Sequence, residues 1–279
     1  MRDAAVVLGA VAYDPKVVTI WDGFRAWFGT RGLSFDYVLY TNYERQVEAH
    51  LRGEIDVAWN SPLAWIETVR LAEKHGRQVQ AIAMRDTDCD LTSAILVRDQ
   101  GPIGAIDDLR GRRIGVGAAD SPQATLIPLL ALAEAGVDPQ RDCEVVQHDV
   151  LLGKHGDHIG GERDAVRALM ASTVDAACVL DANRLAFARE GLLSAGNVRV
   201  LLQTGPYDHC NMTVASVTSA PIMRFRQLLL EMSYDDPEVR PLLDLEGLKV
   251  WKPGRTSGYR WLECAVDRFG TLDKWLTAR

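Results

Sequence analysis

Two short stretches of this chain put hydroxyl and amide groups where a helix is about to begin. Residues 115–125 read G-V-G-A-A-D-S-P-Q-A-T and run straight into L-I-P-L-L-A-L-A; residues 55–62 read I-D-V-A-W-N-S-P, again before an apolar run. Each is a strand followed by a polar residue, a serine and a proline: Asn60-Ser61-Pro62 and Asp120-Ser121-Pro122. The unpaired N–H groups of a first helical turn, with the positive end of the helix dipole, bind anions. The same residues are also an ordinary helix start, with Ser or Asp as cap and Pro at the first helical position. The 115–125 turn is not a P-loop, because no lysine stands between Gly115 and Thr125.

A third constellation is the stretch Q-H-D-V-L-L-G-K-H-G-D-H-I-G-G-E, which carries His148, His155 and His158 beside Asp149, Asp157 and Glu162. Imidazole and carboxylate groups ligate metals and move protons near neutral pH. Neither H-E-x-x-H nor H-x-x-x-H spacing occurs here. A polar surface loop bent at Gly153, Gly156 and Gly160, a ligand-contacting or catalytic loop, and a metal site all remain open readings.

The elements that must position these residues alternate as βα units. Strands are expected over 4–12, 34–40, 55–59, 79–84 and 92–97, with helices over 17–28 and 44–52 and one running to residue 75. After Gly101-Pro102-Ile103-Gly104 a second series begins: strands 113–116, 143–147, 176–180 and 198–203, helices 122–135, 163–171 and 184–190. Gly205-Pro206 marks a second break. A strand at 213–215 and helices near 221–232 and 259–269 complete the chain. Repeated βα units imply α/β architecture with largely parallel strands covered on both faces. Two series and two breaks predict a second lobe, 100–204, inserted into a first made of 1–99 and 205–279, with hinge crossings near 99–104 and 204–207. In open α/β sheets ligands bind beyond the carboxyl ends of the strands, so the site is expected in the cleft between lobes.

With 279 residues, 47% of them hydrophobic and 25% charged, the composition is that of a globular protein. The net charge of −7 and the lack of a basic patch argue against nucleic acid. No apolar run is long enough for a membrane span. Five scattered cysteines without a C-x-x-C pair fit buried free thiols in a reducing compartment. The N-terminal M-R-D-A-A-V-V-L-G-A-V-A-Y-D-P reads better as a first strand than as a signal peptide. The chain as given is therefore expected in the cytoplasm, or in the periplasm if a leader has been removed.

The segments R-G-E-I-D-V-A-W-N-S-P-L-A-W, I-D-D-L-R-G-R-R-I-G-V-G-A-A-D-S-P-Q-A-T, A-G-V-D-P-Q-R-D-C-E-V-V and G-G-E-R-D-A-V-R-A-L-M-A-S-T-V-D-A-A-C-V-L-D together resemble the phosphate/phosphonate-binding proteins of ABC transporters. That family has the type 2 periplasmic binding protein fold: two lobes, each a mixed sheet flanked by helices, with the ligand between them. The resemblance implies binding of a small anionic solute and a permease partner, without cofactor or metal. It implies oxyanion contacts from Asn60 backbone, Ser61, Asp120, Ser121 and Thr125, a lining role for Tyr43, and a carboxylate at Asp181 facing an amino group or protonated oxygen. His209-Cys210-Asn211 falls where the family has an Asn-Asp pair, which marks His209 and Asn211.

Two departures keep a different class in view. The family's export signal is absent from this chain, and Gly160-Gly161-Glu162 stands where relatives have G-G-H. The alternative is an enzyme on the same fold doing acid/base chemistry on an anionic metabolite, with His155 or His158 paired to Asp181 or Glu162.

Overall fold

The structure is a computed structural model describing residues 6–157, 159–194, 196–215 and 219–273. The chain first builds β1 (Val6–Val11), α1 (Lys16–Thr30), β2 (Phe35–Tyr40), α2 (Tyr43–Leu51), β3 (Val57–Asn60), α3 (Pro62–Lys74) and β4 (Gln80–Arg85). It continues with β5 (Ser93–Arg98), β6 (Arg113–Val116), a wide turn at Pro122–Leu126 leading into α4 (Ile127–Glu134), β7 (Glu144–Gln147), α5 (Gly160–Met170), β8 (Ala176–Leu180), α6 (Asn183–Arg189) and β9 (Val198–Gln203). It closes with β10 (Asn211–Val214), α7 (Ala220–Glu231), α8 (Arg240–Glu246), β11 (Trp251–Pro253) and α9 (Arg260–Phe269).

These elements form two compact units. The described residues up to Cys89, with Asp208–Gly258, make the first; Asp90–Tyr207, with the described residues from Tyr259 onward, make the second. This division differs from the expected lobe boundaries in two places. The strand over 93–98 belongs to the second unit, where β5 is paired on both sides by β8 and β9. Gly101-Pro102 is thus a turn within that unit, and the chain passes between units ten residues earlier, after Cys89. The last helix also belongs to the second unit: α9 turns Leu262, Ala265 and Val266 inward and packs on α4, satisfying an apolar stripe that needs a partner.

The first unit's sheet runs β11-β4-β10-β3-β1-β2. β1 is parallel to β2 and β3, while β10 is antiparallel to β3 and β4. The second unit's sheet runs β7-β6-β8-β5-β9, with β6 parallel to β7 and β8 and β5 antiparallel to its neighbours. Both sheets are therefore mixed rather than largely parallel. The βα rhythm is real, but β5 and β10 are strands returning from elsewhere in the chain, and their direction is invisible to periodicity.

α1 buries Val17, Ile20, Trp21, Phe24, Trp27 and Phe28 along one stripe, the spacing that puts side chains on a single helix face. Phe28, Phe35 and Phe225 meet there, with centroids 4.9 and 5.7 Å apart across Phe35. At roughly 1.5–3 kcal/mol per buried large apolar side chain, this cluster anchors the first unit. The second has apolar layers on both faces of its sheet. α4 is buried all round from Ile127 to Leu132.

Candidate functional site

In the first unit Ser61 caps α3. Its Oγ accepts a hydrogen bond from the Ala64 N–H at 3.1 Å, and Pro62 takes the first helical position. Asn60, the last residue of β3, is fully buried and its amide is spent within the unit. Nδ2 donates to Thr213 Oγ1 at 2.9 Å and Thr68 Oγ1 at 3.2 Å, and Oδ1 accepts from Gln46 Nε2 at 2.9 Å. The two threonine hydroxyls pass their own protons on, to Asn211 Oδ1 and to the Ala64 carbonyl. Asn211 and Thr213 reach this network because β10 pairs beside β3 in the register Asn211↔Asn60. Tyr43 opens α2 and is buried, with Asn42 capping the helix ahead of it.

His209 has its Nδ1 3.0 Å from Cys210 Sγ and 3.5 Å from Asp88 Oδ1. Asp88, His209 and Cys210 have the donor types of a metal site and lie close enough together for one. Both oxygens of Asp88, however, accept from the Arg85 guanidinium at 2.6 and 2.8 Å, so a cation's place is already filled by arginine. Burial alone raises the Asp88 pKa, but the paired Arg85 and the neighbouring His209 outweigh it and hold the carboxyl at about 2. Arg85 also donates to the Glu246 carbonyl at 2.8 Å and lies over the Trp59 ring.

Asp208, beside His209, is a second buried carboxylate held by arginine: Arg255 Nε donates to its Oδ2 at 2.7 Å. The close approach of Gly258 makes room for it, since a Cβ there would stand 2.2 Å from the Asp208 carboxyl carbon. Sequence reasoning missed Arg85, Asp88, Asp208 and Arg255. A charged residue in a short loop reads as solvated until its partner is known.

In the second unit Ser121 caps its turn in the same manner, with Oγ accepting from the Ala124 N–H at 3.2 Å. The helix does not begin as a regular α-helix. The Leu126 N–H reaches back five residues to the Ser121 carbonyl, and the Ile127 N–H to the Pro122 carbonyl. Pro128 has no N–H to give Ala124, whose carbonyl instead accepts from Gly117 N–H at 3.1 Å. Thr125 Oγ1 donates to the Ala118 carbonyl at 2.8 Å. Such wide turns are often found at functional sites.

The histidine loop is fastened onto this turn. Asp120 Oδ2 accepts from the N–H groups of Gly153 and His155, Asp149 Oδ1 accepts from Ala119 N–H at 2.9 Å, and Gln123 Nε2 donates to the Gly156 carbonyl at 2.6 Å. Gly156 has φ +77°, and a Cβ on it would lie 2.3 Å from Ser121 Oγ. His155 is buried at φ +50°; His158 lies outside the described residues. Glu162 is buried, its Oε2 accepting from Leu180 N–H and Asn183 Nδ2, both at 2.9 Å. Asp181 accepts from Arg184 at 2.6 Å within its own turn. A polar chain of Tyr207, Ser93 and the Gln123 carbonyl ties the turn to β5.

Each unit thus carries a Ser-Pro turn after an interior strand, Ser61-Pro62 after β3 and Ser121-Pro122 after β6. Ser61, Asn60, Tyr43, His209 and Asn211 lie in the first unit, and Asp120, Ser121, Thr125, His155, Glu162 and Asp181 in the second. The first turn is braced by side chains of α2, α3 and β10, the second by the loop that follows β7.

A family model described as ABC transporter, phosphonate, periplasmic substrate-binding protein matches residues 10–259, and this chain belongs to that family. Its fold is shared with PhnD1 from Prochlorococcus marinus in complex with methylphosphonate, at TM-score 0.70 and 14% identity, over 95% of this chain and 98% of that one. A Xanthomonas citri protein bound to chloride ion matches at TM-score 0.70 and 18% identity, over 95% and 98%. The periplasmic aliphatic sulphonate binding protein SsuA from Escherichia coli matches at 0.59 and 16%, over 97% and 92%. Among the described residues no helix is long and apolar enough to cross a membrane.

Proposed function

We propose that this chain captures a small oxyanion of the phosphonate, phosphate or sulfonate type, with the Ser61 turn and the Ser121 turn as its candidate contacts. The observation that carries this reading is the repetition of one device: a serine cap followed by proline, after an interior strand in each unit. Hydroxyls and oriented N–H groups bind an anion without a fixed cation. The ligands of the structural relatives, methylphosphonate and chloride, are of the same sign. Delivery to an ABC transporter permease from the periplasmic side follows from the family.

Calorimetry with methylphosphonate, inorganic phosphate and an alkanesulfonate tests this. One of them is expected to bind at one per chain. Ser61→Ala and Ser121→Ala should each weaken it about tenfold, the loss of one charge-assisted hydrogen bond. No heat with any of the three, or no loss in either variant, would overturn the reading.

A further inference from the structure

The second unit holds a cavity of about 510 Å³ that the anion reading does not use. Its walls are apolar: Leu126 and Leu129 from the α4 side, Val145 from β7 and Phe269 from the end of α9. Its polar positions include Gln140 and Gln147, both exposed, and no charged side chain lines it. β7 is an edge strand, and among the described residues no further strand of its sheet covers the space. Side chains that would fill it are short or turned away. Ala119 is small, the Thr125 hydroxyl is drawn back to the Ala118 carbonyl, and the Cys143 thiol to the Leu109 carbonyl at 3.3 Å.

We infer that this cavity is a second ligand site, for an uncharged small molecule with an apolar ring or chain and a hydrogen-bonding head. Its volume falls in the range of sites that enclose small organic ligands, roughly 300–1,000 Å³, and its apolar lining with a few polar groups is their usual chemistry. The lining residues carry no charge to attract an ion out of water, whereas an apolar body gains from the Leu126, Leu129 and Phe269 walls. Gln140 and Gln147 offer amide donors and acceptors to a hydroxyl, amide or indole N–H. Thr125 belongs both to this cavity and to the turn capped by Ser121. The site shares Thr125 with that turn but does not include Ser121.

The test is protein-observed ¹⁵N NMR on the full chain, with indole and cyclohexanol as neutral probes and benzoate and benzylammonium as charged ones. The neutral probes should give saturable shifts at residues 119, 125–129, 143–147 and 269–271. The charged probes should bind at least about tenfold more weakly. Gln147→Trp, at an exposed position, should fill the mouth and weaken the neutral probes by at least about tenfold, with the rest of the spectrum unchanged. The inference is overturned if neutral probes give no saturable shifts up to their solubility limit. It is equally overturned if charged probes bind as well, or if Gln147→Trp leaves neutral binding intact.

Discussion

The two serine-capped turns have the same local sequence logic and are held in opposite ways. In the first unit, the polar residue before the serine, Asn60, points into the sheet and is saturated by Gln46, Thr68 and Thr213. In the second, Asp120 accepts from the backbone of a glycine-rich loop at Gly153 and His155. An amide both donates and accepts, so it can be closed off by fixed side chains. A carboxylate only accepts, and backbone N–H groups from a loop are a ready source of donors. One grip is therefore built on rigid strands and the other on a segment with few buried apolar contacts.

The largest effect is expected in the first unit. Asp88→Asn would strip the partly buried Arg85 guanidinium of its bidentate partner and leave only the Glu246 carboxylate at 3.3 Å, and breaking such a pair costs about 3–5 kcal/mol. Urea unfolding would check this, and a loss below about 1 kcal/mol would mean that Glu246 and water replace Asp88.

Next in size is a pH dependence, also in the first unit. His50 is buried on α2, and burial, assisted by the positive charge of Arg77, lowers its pKa to about 4. The unfolded chain takes up a proton near 6.5 and the folded chain only near 4. The contribution is therefore complete above pH 6.5 and is lost as the pH falls toward 4. Two and a half pH units correspond to about 3 kcal/mol. His50→Leu should flatten the slope of stability against pH over that window, and an unchanged slope would assign the acid sensitivity elsewhere.

Asn60→Ala should cost about 2–3 kcal/mol, because Gln46, Thr68 and Thr213 each lose a buried partner. Asp120→Ala should cost less globally, near 1 kcal/mol, since the loop it holds can turn to water. The sharper readout is hydrogen exchange. The N–H groups of Gly153 and His155 should lose protection in Asp120→Ala while β3 and β10 keep theirs. Uniform loss of protection would erase the contrast between the grips.

Gly156→Ala should cost a comparable amount, about 1 kcal/mol, for a residue at positive φ facing Ser121 Oγ. Its use is local. It should shift the Ser121 turn without moving signals of the first unit, as chemical-shift mapping would reveal.

Much of this protein is legible in its linear order. The βα rhythm, the serine-proline helix starts and the apolar stripe of α1 follow from periodicity and capping, which act between residues a few positions apart. Those local rules placed Ser61 and Ser121 as caps and gave each βα unit its strand and helix. They also placed residues 93–98 in the wrong lobe, because a strand's partners are chosen by pairing and not by the nearest glycine.

Tertiary structure decided the rest. Strand β10 comes between β3 and β4 and sets Thr213 against Asn60 across 153 positions, making the Asn60 side chain a buried brace. Asp88 and Asp208 become structural charges only once Arg85 and Arg255 are beside them. Glu162, read as a possible acid, is committed to the Leu180 N–H and the Asn183 amide. A buried polar group must find its partner wherever the fold brings one, and for Asn60, Asp208 and Glu162 that partner lies far along the chain. Capping is chemistry between neighbours and can be read from the sequence; saturation of a buried polar group is a property of the packed whole.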